Sequence, residues 1–573
     1  MGDSSLFDPA HEPADISPQG THPILFLPEA LSLAVGYGSR DGIGCHRSGR
    51  RARDGFIGKK GRLSKVVNIS NLLITSAARI PEHPAIRFLE RTINYEELNR
   101  QVDRLSHGLV HAGLHPGDIC VLMIPNSIEW VIVYYALAKV GVVVVPVNFL
   151  YRTGELDHIF KDSGARVFIG HKDYLEHPRQ VMEHLPKMDL RIAQGVPHSQ
   201  GFLPLEELFA DEGTFHPYPT RDDDTWAIVY TSGTTGHPKG AMLTHYNLAN
   251  NAMTVANMRS TGPNDVVFGV LPFYHIFGQT SALNASLYLG LTIRLWTHFS
   301  AEELLPAIEE EESSILIAVP TIFNRLVELA DLHPPRRSGL RFCVSGGASL
   351  PVQVLRRFED RFHTTIYEGY GLTECSPVCV ENPFGRQTRP GSIGFPIPGF
   401  QARIVNDQDE EVPMGAVGEL IILGPGVMKG YLHQPEATAE TLRGGWLHTG
   451  DLARMDKDGY IYIVDRKKEM IIRGGYNVYP REIEEILYSH PDVVEAAVVG
   501  VPHLDLGEEV AAAIVLRQGA CVTSEELKQF VKERVAPYKY PRRIHLVKEL
   551  PKSHTGKILK RTLRFEDEGV HLK

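Results

Sequence analysis

The sequence predicts an α/β architecture, with a large N-terminal domain of parallel-type mixed sheets and helices followed by a small α+β domain. Three observations carry this. From about Val67 onward, short apolar runs alternate with segments of helical periodicity, the order that parallel sheets with crossover helices require. Two of those runs pass directly into glycine-bearing loops, as strands of such sheets do where they meet a ligand. Past about residue 465 the order changes to a helix, two strands, a second helix and a last strand. A chain of 573 residues is also too long for one core and should divide into about three to four packed units.

Taken in order, residues 1–66 lack periodicity and end in a basic run of Arg47, Arg50, Arg51, Arg53, Lys59, Lys60, Arg62 and Lys65. Asp3, Asp8, Glu12 and Asp15 argue against a transit peptide, and no secretory pattern precedes a cleavage site. The stretch reads as a disordered or dispensable extension. In the middle of the chain, residues 314–319 form a buried strand, Pro320 breaks it, and Thr321 can cap a helix whose Phe323, Leu326, Val327 and Ala330 share one face. A strand at 341–344 runs into Ser345-Gly346-Gly347, and one at 364–367 into Gly369-Tyr370-Gly371. In the C-terminal part, Pro480 opens a helix carrying Ile483, Ile486 and Leu487. Strands at 493–499 and 510–516 follow, then a capping box of Thr523 and Glu526 opens a helix with Leu527, Phe530 and Val531. A last strand lies at 544–547.

Composition excludes several classes. With 43% hydrophobic and 22% charged residues the chain is neither disordered, fibrous nor membrane-spanning. Its 59 basic and 69 acidic residues give a net charge of −10, so the surface repels nucleic acid and any polyanion must meet locally placed cations. Cys45, Cys120, Cys343, Cys375, Cys379 and Cys521 form no disulfide ladder or zinc spacing, which points to a reducing, cytoplasmic location. The longest apolar run, 140–150, is short of the ~18 residues a spanning helix needs and is interrupted by Pro146 and Asn148.

Residues 230–240 read Y-T-S-G-T-T-G-H-P-K-G, directly after an apolar run at 226–229 and bounded on its far side by a helix signal. Gly233 and Gly236 let the backbone turn its amides toward one centre. Thr231, Ser232, Thr234 and Thr235 add hydroxyls, and Lys239 adds a cation. Such a set can neutralise a polyphosphate. The spacing is not that of a Walker A loop, and a Ser/Thr/Gly-rich linker is the competing reading.

Together with Tyr370-Gly371-Leu372-Thr373-Glu374, Thr449-Gly450-Asp451, Asp465-Arg466, Gly474-Gly475-Tyr476-Asn477 and Pro551-Lys552-Ser553-His554-Thr555-Gly556-Lys557, this loop resembles the acyl-adenylate-forming superfamily of acyl-CoA synthetases, luciferases and peptide-synthetase adenylation domains. The match runs from about residue 67 to the end and is most similar to long- and medium-chain fatty acid CoA ligases. The resemblance implies an N-terminal AMP-binding domain at 67–464, made of two similar α/β subdomains and a small β subdomain. It implies a hinge at 465–468, with Lys468 at the hinge position, and a mobile C-terminal domain at 469–573. The implied reaction has two steps: a carboxylate attacks the α-phosphate of MgATP to give acyl-AMP and pyrophosphate, and the thiol of coenzyme A then displaces AMP.

The same resemblance assigns roles. Glu374 binds Mg²⁺, which prefers hard oxygen ligands, and Thr373 donates to the α-phosphate. Tyr370 lies against the adenine, with Gly347, Ala348, Glu368 and Gly369 around the nucleotide. Asp451 and Arg466 hold the ribose hydroxyls. Lys557 stabilises the charge that develops as pyrophosphate leaves. Gly474 and Gly475, with Asn477 beside them, line the passage for the pantetheine arm; a strand-end bulge is the structural alternative. Where some relatives have a lysine two positions before the glycine pair, this chain has Ile472.

The acyl pocket should include Pro272-Phe273-Tyr274-His275-Ile276-Phe277-Gly278, of which His275, Phe277 and Gly278 are the substrate candidates. Amino-acid-activating relatives carry an Asp here to pair the substrate ammonium; this chain offers His275 and aromatics, which favours an uncharged acyl or aryl tail. A fatty acyl-CoA ligase is therefore expected, with an aryl-CoA ligase of 4-coumarate or benzoate type as the alternative, and a fatty acyl-AMP ligase or a non-catalytic nucleotide- or acyl-binding protein behind it. The expected partners are a small carboxylic acid, ATP, Mg²⁺ and coenzyme A, without nucleic acid; peripheral membrane contact and a homodimer are compatible with the sequence.

Overall fold

A computed structural model describes residues 68–573 except 186–187, 198–200, 232–237, 554–555, 567–568 and 573. These residues fall within the unit that runs from Leu63 to Lys573. The expected extension at 1–66 lies outside the described residues.

Two large sheets form the N-terminal body. In the nine-stranded sheet, six neighbouring strands run parallel, in the spatial order Ile366–Gly371, Leu340–Ser345, Ser314–Ala318, Val266–Gly269, Thr292–Leu295 and Pro84–Phe88. Antiparallel strands cover both edges, Arg91–Asn94 at one and Val378–Glu381 with Phe395–Pro396 at the other. The eight-stranded sheet repeats the plan: six parallel strands with an antiparallel edge made by Lys239–Thr244 and Gly430–Tyr431. A four-stranded antiparallel sheet of Gln401–Val405, Gly418–Leu423, Leu447–Met455 and Ile461–Arg466 adds a third layer.

The helix Ile128–Val140 shows why the two large sheets stay together. Its sequence, IEWVIVYYALAKV, is apolar all round, and twelve of its thirteen residues are buried, as suits a helix with protein on every side. Tyr134 bridges outward from it, its hydroxyl accepting from Trp226 Nε1 of one sheet at 3.1 Å and from Asn284 Nδ2 at 3.2 Å. Its single lysine is paired: Lys139 Nζ lies 2.9 Å from Asn99 Oδ1 and 2.5 Å from Asp103 Oδ1.

The C-terminal residues have their own sheet and core, in which the buried Ile483 and Leu487 of the helix Pro480–Tyr488 and Leu527 and Val531 of Ser524–Lys532 pack on the hairpin Val493–His503 and Gly507–Leu516. The Thr523–Glu526 capping box forms as expected. An additional hairpin, Leu563–Glu566 with Gly569–Leu572, was not foreseen.

Three local expectations are corrected. Pro320 does not separate a strand from a cap: it is the first residue of the helix Pro320–Leu332, with Val319 as N-cap and Thr321 inside the first turn, because a fixed φ and a missing N–H suit that position. The phosphate-loop candidate is followed by a strand and not a helix; Thr225–Thr231 and Lys239–Thr244 are antiparallel neighbours with Thr231 opposite Lys239. The glycine pair is not a strand-end bulge. Gly474 and Gly475, both at positive φ (+55° and +84°), make the two-residue turn between Ile471–Arg473 and Tyr476–Val478.

Candidate active site

The loops after the parallel strands of the nine-stranded sheet converge with the ends of the four-stranded sheet. Ile366–Gly371 carries Glu368, Gly369 and Tyr370, and the adjacent turn Thr373–Cys375 carries Thr373 and Glu374. Gly347 and Ala348 follow the neighbouring strand Leu340–Ser345. From the four-stranded sheet, Asp451 and Arg466 stand opposite each other across two antiparallel strands.

Asp451 is the electrostatic centre of this group. Its Oδ2 accepts from the Tyr370 hydroxyl at 2.5 Å, and its Oδ1 lies 3.5 Å from Arg466 Nε. Burial raises the Asp451 carboxyl above its usual range, against the pull of Arg466, Tyr370 and Lys557. Glu368 is also buried and accepts from Leu350 N at 3.1 Å through Oε1, while its Oε2 has no partner among the described residues. Burial pushes this carboxyl up to about 7.

Lys557 arrives from the C-terminal part. The turn that carries it is closed by Ser553 N to Lys557 O at 2.7 Å, Gly556 N to Ser553 O at 2.8 Å and Lys557 N to Ser553 Oγ at 3.1 Å. It packs directly on the N-terminal body: a methyl placed on Gly556 would be 2.4 Å from Thr321 Oγ1. Burial and the Arg466 guanidinium push the Lys557 ammonium down to about 8, with Glu469 and Asp451 pulling the other way. The same ammonium acts on His275, whose imidazole is held at about 4 by burial first and by Lys557 second. His275 Nδ1 accepts from Phe277 N at 3.3 Å, so the neutral ring carries its proton on Nε2. Phe277 in turn lies against Gly346, where an added methyl would meet its ring at 3.0 Å, and Gly278 opens a buried π-helical turn, Gly278–Asn284.

Further contacts hold the two parts in this arrangement. Glu485 Oε2 accepts from Val352 N at 3.2 Å, and Asn324 Nδ2 donates to Val494 O at 3.3 Å. Asp465 bonds both Arg466 N, at 2.7 Å, and Arg481 N, at 3.0 Å, while Lys468 is exposed in the turn that follows. A cavity of about 850 Å³ lies between the parts, with Phe149, Tyr274, Thr321, Val494, Lys552 and Gly556 among its walls.

The structure thus brings Tyr370, Thr373, Glu374, Asp451, Arg466, Lys557 and His275 into one neighbourhood. It leaves Gly474, Gly475 and Asn477 exposed on the C-terminal sheet. Ser232, Gly233, Thr234, Thr235 and Gly236 lie outside the described residues; the loop's ends, Thr231 and Lys239, are joined by a Thr231 Oγ1 to Lys239 O bond at 3.5 Å. Tyr431, which the sequence reading missed, is part of the group. Its hydroxyl donates to Glu374 Oε1 at 2.8 Å, and burial and the Glu374 charge hold that hydroxyl well above its usual value.

Chemically, the set fits a nucleoside triphosphate with a divalent metal. Asp451 and the unpartnered Glu368 Oε2 are acceptors for O–H and N–H groups, Lys557, Arg466 and Lys239 are cations for phosphate, and Glu374 is a hard carboxylate of the kind Mg²⁺ shares with phosphate oxygens.

The comparisons with known proteins agree with that chemistry. Residues 73–432 match the AMP-binding enzyme family and residues 482–557 the AMP-binding enzyme C-terminal domain. The chain is 38% identical to the long-chain-fatty-acid–CoA ligase of Bacillus subtilis (strain 168), over 88% of this chain and 96% of that protein. It is 36% identical to a feruloyl-CoA synthase of an Amycolatopsis species, over 86% and 97%. Among solved structures, the anthranilate CoA ligase AuaEII in complex with anthranoyl-AMP superposes with a TM-score of 0.81 at 28% identity, covering 87% of this chain and 96% of that one.

Proposed function

Because this chain belongs to the AMP-binding enzyme family, we propose that it is an AMP-forming acyl-CoA ligase whose acid substrate is a fatty acid. ATP and coenzyme A are its co-substrates and Mg²⁺ its metal. The observation that carries the reading is the meeting of Lys557 with His275 and Asp451 from three separate stretches of the chain.

In the first step a carboxylate oxygen of the acid forms a bond to the α-phosphorus of ATP as the bond to the bridging oxygen breaks, releasing pyrophosphate. Two anions must approach each other, and negative charge grows on the leaving oxygen. The Lys557 ammonium offsets both, a contribution worth roughly 10²- to 10³-fold per donor. Asp451 accepts from ribose hydroxyls while Arg466 and Tyr370 hold it in place. His275, neutral and protonated on Nε2, donates to the acid's carboxylate without adding a competing charge. Glu374 would hold Mg²⁺, which when bound would neutralise charge on the phosphates. In the second step the coenzyme A thiolate attacks the acyl carbon and AMP leaves. Gly474, Gly475 and Asn477 serve that step after the C-terminal domain has turned about the Asp465–Lys468 hinge.

An uncharged tail suits a segment 272–278 without acidic residues. The extent of identity to the long-chain ligase favours a fatty tail; identity to the feruloyl-CoA synthase supports the second reading, an aryl acid. Incubation with ATP, Mg²⁺, coenzyme A and a panel of fatty acids from C4 to C20 and aryl acids tests both. Acid-dependent AMP with the highest kcat/KM on a fatty acid is the expected result. A maximum on an aryl acid establishes the second reading, acyl-AMP that persists with coenzyme A present marks an acyl-AMP ligase, and no AMP with any acid overturns all three.

A further inference from the structure

Glu374 and the phosphate-loop lysine come from distant segments, yet one side chain touches both. The Tyr431 hydroxyl donates to Glu374 Oε1 at 2.8 Å, and Lys239 Nζ lies 5.0 Å from the centre of the Tyr431 ring, within cation–π range.

The backbone around Tyr431 is fixed independently of that hydroxyl. The short strand Gly430–Tyr431 pairs with Lys239–Thr244, placing Tyr431 opposite Ala241. Lys429 N donates to Met242 O at 2.9 Å, Leu432 N to Gly240 O at 2.8 Å, and Met428 N to the backbone carbonyl of Glu374 at 2.8 Å. Tyr431 N donates to Thr438 Oγ1 at 2.9 Å. Five residues are thus joined to the strand leaving the phosphate loop and to the turn bearing Glu374. The backbone in this region is held by bonds that do not involve the hydroxyl, which also meets the Thr441 side chain, whereas the Glu374 carboxylate, on a half-exposed turn, has no other side-chain donor among the described residues.

We infer that Tyr431 is a positioning residue for the metal carboxylate: its hydroxyl fixes Glu374 through Oε1, leaving Oε2 for the metal, and its ring carries the Lys239 ammonium, so that metal and triphosphate are received by groups set in register by one side chain. A carboxylate held by one charge-assisted hydrogen bond loses rotational freedom before the ligand arrives, and that order need not be imposed on binding. This rests on Glu374 being the metal-binding carboxylate of the proposed ligase.

The test uses the full chain and Tyr431→Phe, which removes only the hydroxyl. Mn²⁺ binding to the protein–ATP complex, followed by electron paramagnetic resonance, should weaken about tenfold, while ATP binding without metal, by titration calorimetry, stays within twofold. In ATP/pyrophosphate exchange the Mg²⁺ concentration for half-maximal rate should rise by a similar factor, with the rate at saturating Mg²⁺ within threefold. Unchanged Mn²⁺ binding, or ATP binding without metal weakened as much, overturns the inference. If Tyr431→Phe does not fold, Tyr431→Leu carries the same expectation for Mn²⁺. The Mn²⁺ measurement needs no acid substrate, so it stands even if the ligase reading fails in the acid panel.

Discussion

Gly556 rests against Thr321: a β-carbon on this glycine would lie 2.4 Å from the threonine hydroxyl oxygen, and its φ of +80° is one that other residues rarely adopt. This contact seats the Lys557 turn on the first turn of the helix Pro320–Leu332. If, as proposed, only the first step uses this docking, Gly556→Ala should lower the rate of adenylate formation at least tenfold while leaving thioester formation from supplied acyl-AMP within about threefold. Adding Thr321→Ala removes the clashing oxygen but not the backbone strain, so part of the adenylation rate should return. The two half-reactions measured on single and double variants check this; equal loss in both steps would mean that the turn is needed for folding rather than docking.

The Lys557 ammonium, lowered to about 8 by burial and Arg466, is present below that pH and lost above it. The kcat/KM for adenylation, which reports the free enzyme, should fall as pH rises through about 8. Lys557→Arg keeps its charge throughout this range, so its remaining activity should show no such fall. A wild-type profile flat to pH 9.5, or the same falling limb in the arginine variant, would assign the titration elsewhere.

Glu368 gives a stability prediction of definite sign. Its folded carboxyl is raised to about 7, chiefly by burial, against Arg481 and Leu350 N, with Glu485 adding to the rise. A raised carboxyl contributes most below its unfolded value and loses that contribution as pH climbs through about 7. Glu368→Gln should thus stabilise the protein relative to wild type more at pH 8 than at pH 5. Melting curves at the two pH values decide it; a difference independent of pH would contradict the assignment.

Asp451 is buried, bonded to Tyr370 and faced by Arg466. Asp451→Asn keeps the shape but halves the acceptor capacity. The KM for ATP should rise about ten- to a hundredfold, in line with one to three kcal/mol for a hydrogen bond to a charged group, with the KM for the acid changed far less. Similar shifts in both constants would show that the residue supports the cleft as a whole.

Much of this arrangement was legible because short-range chemistry wrote it into short stretches of sequence. The Thr523–Glu526 capping box, the apolar face of the helix after Pro320 and the strands that run into Gly346-Gly347 and Gly369-Tyr370 all follow from local periodicity and capping. What was not legible depends on pairing between distant segments. Nothing local says whether Lys239 begins a helix or a strand, since the strand exists through its ladder with Thr225–Thr231. Pro320 was read as a breaker because a fixed φ ends strands and begins helices equally well. Tyr431 gave no signal at all; a Gly-Tyr dipeptide acquires meaning only when its strand is laid beside Lys239–Thr244 and its hydroxyl meets Glu374.

The central claim is that a lysine on the C-terminal domain offsets the repulsion between two anions in the first step alone. Lys557→Ala, assayed in both half-reactions, tests it most directly. ATP/pyrophosphate exchange should fall by roughly 10²- to 10³-fold, while coenzyme A thioester formation from supplied acyl-AMP stays within a few-fold of wild type. Equal loss in the two steps, or exchange that survives, would contradict it.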